Sequence, residues 1–458
     1  MRSAGLPSRD SPSRADAVIL FLVALAVSLY GIGRKSIGLD ESTSVYLAEQ
    51  GTRWLLSSDP WLDPNARLHY LFLSLWIRVF GDSEAALRCL SALFAALAVV
   101  ALCFLGARLF GRAAGIVAGL LLAANAFLVE YAHNTRTYTL LVFLVILCTW
   151  FFVAELERPS ARNRIGYVLT AGAAIYAHFF AALVLAAHGV VLVLVRRRQA
   201  FTRQWVWVAL GVALLSVPAI LLALDAGPAG ISWIRRPDWA RIQKVWNDIA
   251  GKSPFVLAGL VGAGVIGTLA TRIVERWKLV LLWTWLLLPS LLSLAISLRV
   301  PVYLSFYMII CVPALVLLGV SGLAQIRSRP WFVGAAALLI LAAAAELPRE
   351  YRAPATEDWR AAAQFLLEGS SPGDAVIFLP QFAQVPFDYY VRRSGRPGPE
   401  DMSSSPSWKR DRIWLVTRES DSTNRPIEFR RLRDSLAAGH RVAQRKVFPW
   451  ISLTLYAR

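Results

Sequence analysis

Two adjacent carboxylates, Asp40 and Glu41, stand in the stretch IGLDESTSVYLAE, just past the first apolar run of the chain. An acidic pair at the edge of a hydrocarbon layer suits two jobs. It can open a helix, with Asp40 capping ESTSVYLAE and Glu41 at the positive end. It can also supply a general base that takes a proton from an attacking hydroxyl. The first job does not exclude the second, because a cap fixes the backbone beside a carboxylate.

Four other groups could share in the chemistry. In YAHNTRTYTL, 131–140, Arg136 has His133, Asn134 and Tyr138 as neighbours. Its guanidinium fork suits a phosphate's oxygens, and an arginine here also suits snorkelling to lipid headgroups. His178, in IYAHFFAAL, falls in a tight turn between apolar runs, where an imidazole needs a partner. Arg299, Tyr303 and Tyr307 cluster in SLRVPVYLSFYMIICVP, as a binding face or as an aromatic belt. ISWIRRPDWARIQKVW, 231–246, interleaves Trp233 and Trp239 with Arg235, Arg236 and Asp238, which suits a sugar face or a helix lying on headgroups.

These groups need elements to hold them. The 458 residues are 57% hydrophobic and 17% charged, too apolar for a soluble enzyme of this size. About eleven stretches approach the roughly 20 helical residues that cross a bilayer. They lie near 17–32, 85–107, 113–130, 138–154, 165–178, 179–195, 205–223, 253–271, 278–298, 303–324 and 330–346. The short segment 67–80, flanked by Arg67 and Arg78, reads as an interfacial helix. Cys89, Cys103, Cys148 and Cys311 all fall in apolar runs with no CxxC pair, so they read as small buried residues.

Basic residues set the orientation. They gather at Arg2, Arg9 and Arg14, at Arg108 and Arg112, at Arg158, Arg162 and Arg164, and at every second connection thereafter. The intervening short connections carry only Arg136 and Arg299. This is the positive-inside pattern. It puts the N-terminus in the cytoplasm and places the loops 33–84 and 224–252, with the tail, outside. The net charge of +18 therefore belongs to topology. With no basic stripe carrying stacking aromatics, nucleic acid is excluded as a partner. The tail alternates helix and strand periods in DWRAAAQFLLEG, DAVIFLP, VPFDYYVRRSG and RIWLVTRE, which predicts a small α/β domain. The expected organisation is a multi-pass α-helical membrane domain, 1–348, and an extracytoplasmic α/β domain, 349–458. Every polar group named above then falls on the outer face. Chemistry on a lipid-linked phosphorylated substrate fits that placement.

The ordered series of motifs resembles the membrane glycosyltransferases of the GT-C superfamily. It is closest to dolichyl-phosphate-mannose protein mannosyltransferases and their bacterial relatives that use polyprenyl-phosphate sugars. IGLDESTSVYLAEQ resembles the family's first outer loop with its acidic pair, and ARLHYLFLSLWIRVFGDSEAALR its next segment. YAHNTRTYTLL, IYAHFFAALVLAAH and EDWRAAAQFL continue the match. Asn134 stands where relatives carry a glutamate, Ala66-Arg67 where they carry Pro-Pro, and Phe306 where they often carry an arginine.

The resemblance implies transfer of a sugar from a polyprenyl phosphate to a hydroxyl, with inversion, in the cytoplasmic (inner) membrane. Asp40 takes the position of the base and Glu41 that of its neighbour. The leaving phosphate needs a cation, for which Arg136 is the first candidate, with His178 and Arg299 behind it. Tyr46, His133, Asn134, Tyr138, Tyr303 and Trp233 are candidate substrate contacts. No cofactor and no essential metal are expected. The partners are the lipid-linked donor, a lipid, glycan or protein acceptor, and membrane lipids. A non-catalytic binder of lipid-linked sugar and a transporter are the competing readings. The transporter would call for paired broken helices or an internal repeat, and the sequence offers neither.

Overall fold

In hydrocarbon, a backbone satisfies its polar groups only within helices or closed barrels, and the computed structural model of this chain is mostly helical. It describes residues 11–57, 65–195, 202–226, 234–272, 275–404, 409–418 and 426–458. The chain divides into two compact units. The first comprises Met1–Gly31, Thr52–Gly81 and Ala86–Arg352; the second comprises Ile32–Gly51, Asp82–Ala85 and Ala353–Arg458.

The first unit runs α1 (Arg14–Leu29), then, after α2 of the second unit (Leu39–Glu49), α3 (Thr52–Leu55) and α4 (Arg67–Phe80). Next come α5 (Glu84–Phe110), α6 (Arg112–Ala123), α7 (Ala126–Ala132), α8 (Tyr138–Glu157), α9 (Ala161–Ala177) and α10 (Ala181–Val195). It continues through α11 (Arg203–Ala226), α12 (Trp239–Ile249), α13 (Pro254–Ala270), α14 (Arg276–Ser297), a 3-10 turn (Ser305–Cys311), α15 (Val312–Leu323), α16 (Arg329–Ala344) and α17 (Leu347–Arg352). This is a multi-pass membrane protein. Among the described residues, six helices are long and apolar enough to cross a membrane, or eight if each of two bent pairs is one span. Helix length and composition thus support fewer spans than the eleven expected. α1, α9 and α10, at 16, 17 and 15 residues, account for much of the difference.

Two features of this unit bear on the site. The bent pair α6–α7 turns by 60°, and Asn125 at the break accepts from Leu128 N at 2.9 Å and donates to Ile249 O at 3.1 Å. The break carries the chain into the segment that holds Arg136. Helices α13 and α15 cross on glycines. A Cβ at Gly322 would fall 1.9 Å from Ala263 O, one at Gly319 2.3 Å from Leu260 Cδ2, and one at Gly267 2.4 Å from Ser321 Oγ.

The second unit combines α2 with α18 (Trp359–Gly369), α19 (Gln384–Ser394), α20 (Pro426–Ala437) and a five-stranded sheet. The strands are β1 (Ala375–Leu379), β2 (Glu400–Asp401), β3 (Arg412–Arg418), β4 (Arg441–Phe448) and β5 (Ile451–Ala457), in the order β2-β1-β3-β5-β4. β1 pairs in parallel with β2 and β3, whereas β5 runs antiparallel to β3 and β4. One face buries Val376, Phe378, Trp414, Val416, Leu453 and Leu455 against Trp359, Leu366 and Phe387 of α18 and α19. The opposite face gathers Ile377, Ile413 and Leu415 with Leu436 of α20.

Helix α2 begins one turn's fraction earlier than the capping reading of Asp40 requires. Its N-cap is Gly38, and Asp40 is the second helical residue. The physical reason lies in the donors before it. Ile37 N donates to Tyr390 Oη at 2.8 Å, Gly38 N to the Glu41 carboxylate at 3.2 Å and Leu39 N to the Glu357 carboxylate at 3.0 Å. With those groups satisfied from elsewhere, Asp40 is not needed as a cap.

Candidate active site

In the first unit a polar cluster forms where the α7–α8 connection, the α9–α10 turn and the start of α4 meet. Arg136 N donates to Asn134 O at 2.8 Å, and Arg136 O accepts from Ser91 Oγ at 3.3 Å, so the segment is tied to α5. Thr137 Oγ1 donates to Ala177 O at 2.8 Å and ties it to the end of α9. The Arg136 guanidinium lies 6.0 Å from the centre of the Tyr138 ring, within cation–π range. The Tyr138 ring lies 6.0 Å from that of His178 and 5.4 Å from that of Phe306.

His178 is held on both nitrogens. Asn65 Nδ2 lies 3.0 Å from Nε2, and Phe180 N donates to Nδ1 at 3.2 Å. Asn65 Oδ1 in turn accepts from Phe179 N at 3.1 Å, so the segment before α4 is stitched to the α9–α10 turn. His69, on α4, was not singled out in the sequence. It is 1% exposed, with the Thr135 backbone as its hydrogen-bonding neighbour. Burial, and then the Arg136 charge, push its imidazole down to about 3, so it stays neutral. The one signal it offered was its place in an amphipathic segment between two arginines.

An apolar cavity of about 630 Å³ shares elements with this cluster. Leu68 and Leu71 of α4, Ala173 of α9 and Leu221 and Leu222 of α11 line it, with Ser57, Arg67 and Tyr176 as its polar groups. Arg67 is buried and donates to Ser57 O at 2.8 Å. Asn65 and His69 flank Arg67 in sequence, and His178 follows Tyr176 by two residues. The same two elements therefore serve an apolar hollow and a polar cluster.

Other expected contacts go elsewhere in this unit. His133 is buried, and its Nε2 lies 2.8 Å from Ser28 O on α1. Arg299 is exposed just beyond the end of α14. Tyr303 is fully buried, with Ser290 as the neighbour of its hydroxyl. Trp233 lies outside the described residues.

In the second unit, Asp40 and Glu41 occupy the first turn of α2 but differ in surroundings. Asp40 is exposed, whereas Glu41 is 5% exposed and bonded back to Gly38 N. Glu41 thus acts on its own helix, and Asp40 offers the accessible carboxylate. Tyr46, on the same helix, is exposed. A hollow of about 230 Å³ beside it is lined by Ser42, Tyr46 and Glu49 of α2 and by Gln384, Asp388 and Arg392 of α19.

Comparison with known proteins agrees with the resemblance read from the sequence. Residues 65–222 match the family model for dolichyl-phosphate-mannose-protein mannosyltransferase. The chain shares its fold with ArnT from Cupriavidus metallidurans bound to undecaprenyl phosphate, at 14% identity and a TM-score of 0.63, over 97% of this chain and 98% of that one. ArnT from the same organism in the apo state gives 15% and 0.64, over 96% and 97% of the two chains. An oligosaccharyltransferase from Archaeoglobus fulgidus in the apo form gives 12% and 0.53, over 90% and 70%. No curated protein sequence matches the chain. The GT-C resemblance and the expectation of a glycosyltransferase enzyme are borne out by the family match, and the solved structures share the fold.

Proposed function

We propose that this protein moves a sugar from a polyprenyl-phosphate donor to a hydroxyl acceptor at the outer face of the cytoplasmic membrane, with inversion at the anomeric carbon. The N-terminus is cytoplasmic in this reading, and the tail is outside. The carrying observation is the pairing, on α4 and α9, of an apolar cavity with a polar cluster containing Arg136. That pairing suits a ligand with a hydrocarbon chain and an anionic head. The neighbouring ArnT structure, which is bound to undecaprenyl phosphate, supports the same ligand class.

The reaction asks for two groups, a base for the acceptor and a cation for the leaving phosphate. The acceptor oxygen attacks the anomeric carbon as the bond from that carbon to the phosphate oxygen breaks. The hydroxyl proton passes to the Asp40 carboxylate. The phosphate leaves on its lipid, and its growing charge is met by the Arg136 guanidinium. Neutral His69 adds no charge to the cluster but can donate a hydrogen bond. The family's glutamate and arginine are replaced by Asn134 and Phe306, so in this reading the Asp40–Glu41 pair supplies most of the acidity left to the site.

The test is transfer or hydrolysis from a panel of undecaprenyl-phosphate sugars by the purified protein in lipid, wild type against Asp40→Asn. The variant should lose about 100-fold or more of the rate. Full activity in Asp40→Asn would sink the assignment of the base.

A further inference from the structure

Glu357 stands far along the chain from the acidic pair, yet it touches the helix that bears it. One carboxylate oxygen accepts from Leu39 N at 3.0 Å and from Trp359 Nε1 at 2.7 Å. The other accepts from Arg418 Nε at 2.8 Å. The side chain is 6% exposed, and Trp359 is fully buried. Glu357 is therefore fixed from both sides, by an indole in the helical layer and by a guanidinium on β3.

The first turn of a helix has backbone donors without partners. A serine or aspartate at the N-cap would satisfy one, but the N-cap here is Gly38, which has no side chain. Glu357 satisfies another of these donors, Leu39 N, from 318 residues away, on the residue immediately before Asp40. Ile37 N is held in parallel by Tyr390 Oη. The residues leading into the acidic pair are thus fastened to the sheet-bearing part of their own unit. A carboxylate at this end also favours the helix dipole.

We infer that Glu357 is a positioning residue for the Asp40 carboxylate: through Leu39 N it fixes the first turn of α2, while Arg418 and Trp359 fix Glu357. This rests on the proposed role of Asp40. A base that must meet a hydroxyl within hydrogen-bond reach loses rate when its backbone drifts, even if substrate still binds.

Hydrogen exchange on the full-length protein in lipid tests the tether without substrate. Glu357→Ala should speed exchange in residues 39–44 by about tenfold, as loss of a cap does, with β1 and β3 changed less than about twofold. Glu357→Gln keeps an oxygen for Leu39 N and should stay within about threefold of wild type. Unchanged exchange at 39–44 in Glu357→Ala would overturn the inference, as would an equal rise throughout β1 and β3. With an undecaprenyl-phosphate sugar as probe, Glu357→Ala should lower kcat about 10- to 100-fold and leave KM for the donor within about twofold. A loss of rate carried by KM, or in proportion to folded protein, would also overturn it. If Asp40→Asn keeps full activity, the base assignment fails while the exchange result still judges the tether. If Asp40→Asn is inactive but Glu357→Ala keeps its kcat, only the positioning role fails.

Discussion

Arg136 sits against the ring of Tyr138, in a cluster that also holds His178 and His69, and His69 is held neutral. Replacing it with glutamine removes the charge and should lower transfer about 100- to 1,000-fold, with lysine recovering part of the rate, measured as kcat/KM for the donor. His69 gives a pH prediction. Its folded value, about 3, lies below the ordinary 6.5, so the unfolded chain binds the extra proton between those limits. Its contribution to stability is complete above 6.5 and is lost as pH falls toward 3. By pH 5 the loss should be about 2 kcal/mol. Thermal midpoints from pH 7 to 5 should fall less steeply in His69→Phe than in wild type. Arg136 was legible in the sequence because a cation in a short connection that is otherwise nearly bare of basic residues breaks the positive-inside pattern. His69 was not, because burial decides its character and a lone histidine in an amphipathic segment does not report burial.

At the level of elements, the α13–α15 crossing depends on atoms that glycine lacks. Gly322→Ala places a Cβ 1.9 Å from Ala263 O, so the helices must separate. The expected cost is about 1–3 kcal/mol, read as a lower thermal midpoint in detergent. Gly262, on α13 but with nothing within 4 Å of an added Cβ, is the control. Gly262→Ala should be neutral or stabilise by up to about 1 kcal/mol. The apolar runs announced helices, but not which glycines meet: Gly262 and Gly264 look alike in sequence, and only the crossing separates them. Helix α2 shows the same limit. LDESTSVYLAE has the composition of a capped helix, but the acceptor for Leu39 N comes from a residue no local pattern connects to it. β4 is harder still, since its exposed Arg441, Arg445 and Lys446 give little alternation, and its pairing with β5 defines it.

For the whole molecule, the basic residues make the sharpest prediction. A periplasm-active reporter fused after Arg458 should be active, and a cytoplasm-active one silent, because arginines gather on alternate connections. The opposite result would overturn the proposed outer-face chemistry. The make-up of the second unit carries one more consequence, and it concerns the order of synthesis. Leu39 leaves the ribosome 318 residues before Glu357, and at 5–20 residues per second that interval is roughly 15 to 65 s. During it α2 has been made, but Glu357, Tyr390 and Arg418 have not. The nascent chain therefore carries its acidic pair on an untethered helix, and the segment acquires its fixed geometry only when the last strands of the sheet are in place. A chain stalled before Glu357 would hold every apolar span and still lack the tether beside Asp40, the proposed base.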